Sequence, residues 1–68
     1  MLNFEPISKD LMRQMNRSLV LNTIRLKGPI SRTEIARGTG LSGATISGLV
    51  SELLDDDLIF ELEEGDSS

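Results

Sequence analysis

Residues 31–54 read SRTEIARGTGLSGATISGLVSELL, and this stretch decides the fold. Ser31 followed three residues later by Glu34 is a capping-box pattern. The serine hydroxyl can take the backbone N–H of Glu34 while the carboxylate takes that of Ser31. A helix is therefore expected from Arg32 to Arg37, with Gly38-Thr39-Gly40 as the turn after it. Gly40 suits a sharp turn because glycine reaches positive φ without a Cβ clash. Ser42 caps the next helix, expected over Gly43–Asp56, and Leu41 is placed to staple onto Ile46. Ile46, Leu49, Val50 and Leu53 recur at helical spacing and make one apolar face. Ala36 is small enough to let the two helices cross closely. Two short helices joined in this way predict a helix-turn-helix, a unit whose second helix reads DNA.

Upstream, Lys9–Lys27 contains neither proline nor glycine. Ser8 is a candidate cap and Gly28-Pro29 a stop, so one long helix is expected between them. Residues 1–8 read as a flexible lead-in, with Pro6 discouraging helix at Glu5. Residues 9–68 read as the folded domain. The long helix carries two apolar stripes. Val20, Leu21 and Ile24 face the helix-turn-helix, while Leu11, Met12, Met15, Leu19 and Leu26 need another partner. That partner is either Leu58–Leu62 of the same domain or a dimer or interdomain contact, because small monomers seldom leave such a stripe in water. Arg13, Arg17, Arg25 and Lys27 read as a solvated face of this helix. Ile30, after the extended Gly28-Pro29 connector, is expected to plug the core.

Downstream, Asp55, Asp56 and Asp57 crowd the negative end of the third helix, which is expected to fray. Leu58–Glu63 alternates and reads as a strand with Leu58, Phe60 and Leu62 inward, followed by a turn at Glu64-Gly65-Asp66. A strand and turn in this place are half of a β-hairpin wing. The fold class expected is mainly α, a three-helix winged helix-turn-helix with a short, incomplete β-wing, which suggests a fragment of a longer protein.

Composition narrows the function. The net charge of −4 hides an uneven distribution. Through Ser51 there are seven basic residues against three acids, a charge of +4. From Glu52 onward there are eight acids and no base, a charge of −8. A mildly basic body fits a polyanion, since local field steers binding more than net charge does. There is no His, Cys, Tyr or Trp and no Gly-x-x-x-x-Gly-Lys loop, so no catalytic constellation is present and an enzyme is not expected. No cofactor and no metal are expected; the three consecutive aspartates point in different directions along a helix and make a poor cage. No 18-residue apolar run is present, so no membrane partner is expected, and the start MLNFEPISKD lacks a signal-peptide pattern. A cytoplasmic location is the expectation.

Residues 28–68, GPISRTEIARGTGLSGATISGLVSELLDDDLIFELEEGDSS, resemble the N-terminal winged helix-turn-helix of the ROK family of bacterial repressors. Gly28–Arg32, Glu34–Ala36, Thr39–Ser42, Ala44–Ser47 and Leu49–Leu53 carry the resemblance, which extends over roughly residues 16–68. It implies a sugar-responsive repressor that binds a palindromic operator as a dimer. It also implies that the sugar-kinase-like effector domain, with any sugar or zinc site, lies outside this chain. Family members often carry basic or larger polar residues at the positions of Gly43 and Gly48. Glycine there offers no side-chain contact and costs about 1 kcal/mol each relative to alanine.

The expected partner is double-stranded DNA, with a homodimer formed through the first helix or a C-terminal domain. On the third helix, the side opposite its apolar face carries Ala44, Thr45, Gly48, Ser51 and Asp55, with Ser47 at its margin. Thr45 and Ser47 can hydrogen-bond base edges or phosphates, and Ala44 can touch a thymine methyl. Ser42 and the free amides at Gly43 can hold a phosphate. Arg32 and Thr33 open the second helix, where backbone contacts are made, and Arg37 closes it. The candidate DNA-binding residues are thus Arg32, Thr33, Arg37, Ser42, Gly43, Ala44, Thr45, Ser47, Gly48 and Ser51. The alternative is a winged-helix module that binds protein without DNA, supported by the acidic tail, the two glycines and the unassigned stripe.

Overall fold

A computed structural model describes Leu2 and residues 8–62. It contains three helices, α1 (Lys9–Lys27), α2 (Arg32–Thr39) and α3 (Gly43–Asp55), each packed on the other two.

Local chemistry sets the helix ends. Ser8 accepts from the Leu11 N–H at 3.1 Å and starts α1; Arg25 and Lys27 in its last turn complement the dipole. Gly28 stops it, donating its N–H to the Ile24 carbonyl at 2.8 Å. A Cβ at Gly28 would stand 2.6 Å from that carbonyl oxygen, so only glycine fits. The capping box at α2 is complete: Glu34 N–H donates to Ser31 Oγ at 3.1 Å and Ser31 N–H to Glu34 Oε1 at 3.0 Å. α2 runs two residues beyond Arg37, because Gly38 and Thr39 stay helical and Gly40 alone makes the turn at φ 78°. Thr39 ties that turn together. Its hydroxyl donates to the Ile35 carbonyl at 2.8 Å and accepts from Leu41 N–H at 3.3 Å.

The core is six aliphatic side chains, Val20 from α1, Ile35 from α2, and Ile46, Leu49, Val50 and Leu53 from α3. Leu21, Ile24, Ile30, Ala36 and Leu41 pack at its edge, as the apolar patterning predicts. Fully burying one such side chain is worth about 1.5–3 kcal/mol.

Two expectations about the end of the chain change. α3 stops one residue earlier than expected, with Asp56 as its cap. The chain then turns through a Schellman motif: Leu58 N–H donates to the Leu53 carbonyl and Asp57 N–H to the Leu54 carbonyl, with Asp57 at φ 59°. No strand forms among the described residues 58–62. The inward-facing side chain there is Ile59, which packs on the core, while Leu58, Phe60 and Leu62 are exposed. Alternation alone does not make a strand; a strand needs a ladder partner, and none lies among the described residues. The turn expected at Glu64-Gly65-Asp66, the residue Glu63, and most of the 1–8 lead-in fall outside the described residues.

The second apolar stripe of α1 is also not covered by Leu58–Leu62. Leu11, Met12, Met15 and Leu19 remain about half exposed, and Leu26 more so.

The two left-handed positions have opposite substitution outcomes. Gly40→Ala should lower unfolding free energy by about 1–2 kcal/mol, the cost of placing a Cβ in that region. Asp57→Gly should raise it by up to about 1 kcal/mol by relieving the same strain. Chemical denaturation of the two variants checks both signs; equal midpoints for both would contradict this account of the turns.

Candidate nucleic-acid interface

α3 carries its four buried residues on one side, so its other side faces outward. Ala44, Ser47 and Ser51 stand exposed there, with Gly43 at the helix start and Asp55 at its end. The surface they form has no bulky side chain and lets another backbone approach closely. Ser42 occupies the cap. Its Oγ accepts from Thr45 N–H at 3.1 Å and donates to Thr45 Oγ1 at 2.9 Å.

Thr45 and Gly48 differ from the expected placement. Both are half-buried rather than at the centre of the outer face. The N-terminal half of α1 runs beside them, and Lys9, Met12, Arg13 and Asn16 line a shallow groove with Thr45 and Leu49. The outward surface of α3 is therefore centred on Ala44, Ser47 and Ser51 and flanked on the Thr45 side by α1.

α2 presents Arg32, Thr33 and Arg37, all exposed. Arg32, at the first helical position, pairs through Nη1 with Glu61 Oε2 at 3.1 Å. Both side chains are about half exposed, so the pair is weak and exchangeable with another anion. Arg37 lies in the last turn near Glu34.

The basic face of α1 is likewise not simply solvated. Arg13 Nε donates to Glu52 Oε2 at 2.7 Å, with Nη2 on the same oxygen. Arg17 Nε lies 3.3 Å from Glu52 Oε1, and its Nη2 pairs with Asp56. Sequence patterning gave no hint of these pairs, because the partners lie far apart in the chain, 39 residues for Arg13–Glu52 and for Arg17–Asp56. They set positive charge against the acidic end of α3, where the aspartates were expected to promote fraying.

Among the described residues no group of His, Cys, Asp or Glu could hold a metal ion. Among the described residues no helix is long and apolar enough to cross a membrane.

Comparison with known proteins agrees with this geometry. Residues 16–59 match a family model described as winged helix-turn-helix DNA-binding. A xylose repressor of Bacillus spizizenii is 37% identical over 57 residues, covering 84% of this chain and 15% of that protein. The xylose repressor of Bacillus subtilis is 35% identical over the same extent. One from Caldicellulosiruptor bescii is 40% identical over 57 residues, 14% of its length. The chain thus spans about one-seventh of the length of the curated relatives it matches. No solved structure matches at a significant level.

The capping box at the start of α2 titrates in a defined direction. The Ser31 backbone bond, followed by its side-chain bond and the Arg37 charge, holds the Glu34 carboxyl below the usual glutamate value. A depressed folded value means that this contribution to stability is complete above the unfolded glutamate range. It is lost as pH falls through the folded value. A carboxyl NMR titration should place the Glu34 midpoint below the usual glutamate value; a midpoint at or above that value would show the box open in solution.

Proposed function

The chain belongs to the winged helix-turn-helix DNA-binding family, and we propose that it is the DNA-binding domain of a bacterial, sugar-responsive repressor of the ROK kind. The observation that carries this reading is α3 itself. Its buried side is fully used by the core, and its opposite side is a narrow, small-residue surface starting at a capped N-terminus. Such a helix fits a major groove, with its first turns nearest the bases. Ser47 and Ser51 offer hydroxyls to base edges or phosphates, and Ala44 offers a methyl-sized contact. Ser42, Gly43 and the free amides of the first turn, with Arg32, Thr33 and Arg37 of α2, are assigned to the phosphate backbone. Thr45 and Gly48 border this surface on the α1 side. The likeness to xylose repressors supports regulation by a sugar bound outside this chain.

Repressors of this class act on two-fold operators, and a homodimer matches the two half-sites. The exposed α1 stripe or a C-terminal domain supplies its contact. A DNA partner places the working protein in the cytoplasm. Protein binding in place of DNA is not favoured, since the family is one of DNA binders.

Phosphate contacts dominate affinity in such an interface. One copy makes few of them, so the chain alone should bind a generic duplex weakly, at about 10⁻⁴–10⁻⁶ M at physiological salt, and tighter as salt falls. Ser47→Glu sets a carboxylate against the DNA and should weaken binding by at least about tenfold with an unchanged melting curve. Fluorescence anisotropy with a labelled duplex reads both effects. Nanomolar affinity of the monomeric chain at physiological salt, or an unaffected Ser47→Glu variant, would sink this reading.

A further inference from the structure

α3 contains no lysine or arginine; its only charged residues are Glu52 and Asp55. A helix so composed meets a polyanion with hydrogen-bond donors but no cation of its own. Cations reach it from α1. Arg13 crosses to α3, where Glu52 takes the Nε–Nη2 edge of its guanidinium. That grip lays the group beside Gly48: a Cβ added there would be 3.9 Å from Arg13 Nη2. Since Gly48 has no side chain, the guanidinium rather than a residue of α3 lines that turn of the helix. Arg13 keeps 51% of its side chain exposed, and Lys9 lines the same groove beside Thr45. Arg17 is placed differently. It is 31% exposed and divided between Glu52 and the Asp56 cap, at the far end of α3 from its first turn.

We propose that Arg13 is a phosphate-contacting residue of the DNA-binding surface, positioned by Glu52 beside Gly48 so that α1 supplies the cation that α3 lacks. A guanidinium carries five N–H donors. The pair with Glu52 uses one edge and leaves the Nη1 edge for a phosphate oxygen. Glu52 acts as a positioning residue: it fixes where the charge sits and touches no DNA. This assignment rests on the DNA-binding reading above.

The test is anisotropy of the chain with labelled duplexes of two unrelated sequences over a range of salt. Arg13→Gln should weaken binding to both duplexes alike and reduce the log–log salt slope by about 1. Arg13→Lys should keep the slope. Glu52→Gln loosens the seat but retains the arginine, and it should weaken binding less than Arg13→Gln does while keeping the salt slope. Arg17→Gln should leave the slope unchanged. Exposed pairs of this kind add little stability, and circular dichroism melts establish that each variant folds. An unchanged slope in Arg13→Gln overturns the assignment. So does a loss in Glu52→Gln equal to that in Arg13→Gln, which would make the ion pair, not the charge, the cause. If the parent binds and Ser47→Glu does not, while Arg13→Gln matches the parent, Arg13 alone is misassigned. If the parent binds no duplex at low salt, the DNA-binding reading itself fails.

Discussion

The fold depends on the one-sidedness of α3. Among the described residues, four of the six buried side chains belong to this helix, and α1 and α2 contribute one each. α3 is thus the element that the other two cover, and they can cover only one side of it. What remains is a strip of Ala44, Ser47 and Ser51, bounded by α1 along Thr45 and Gly48. Packing and function are linked directly here. A bulkier apolar outer face would need a further partner, and a weaker inner face would leave α3 unheld. Truncating a core side chain such as Leu49 leaves a cavity costing about 2–5 kcal/mol, a large share of the stability of so small a domain.

Charge is organised in space differently from its order in the chain. The sequence sets a basic body before an acidic end, but the fold brings the two together. Arg13, Arg17 and Arg32 meet Glu52, Asp56 and Glu61 across helices or across the α2–tail contact. These are partly exposed pairs, so each adds little to stability. Their effect is to set where cations stand and what they must release on meeting a phosphate. Arg32 has to exchange Glu61 for such a contact. Arg13 has to give up nothing, since its pairing occupies one edge of the guanidinium.

Most of the architecture was legible because its signals are local. Ser8, Ser31 with Glu34, and Ser42 mark the three helix starts, and each makes the expected cap. Gly28-Pro29 marks the end of α1, where the tight fit against the Ile24 carbonyl explains the glycine. The misses have local causes at two turns and long-range causes elsewhere. Gly38 looked like part of the turn, but with Gly40 able to take the left-handed cap, α2 continues through it. Asp57 hides the Schellman motif after α3 because glycine is the usual residue there. The alternation after Leu58 has no ladder partner among the described residues. The helical wheel set Thr45 on the outer face because it could not know that α1 runs alongside. The Arg13 and Arg17 pairs leave no local trace.

We propose the exposed strip of α3, with the start of α2, as the DNA-facing surface. The most direct measurement is a backbone amide NMR titration of the chain with a short duplex at low salt. Shifts concentrated at Arg32, Thr33 and residues 42–51, reversed as salt is raised, are expected. Shifts concentrated instead along the exposed Leu11–Met15–Leu19 stripe, with α3 silent, would contradict this assignment.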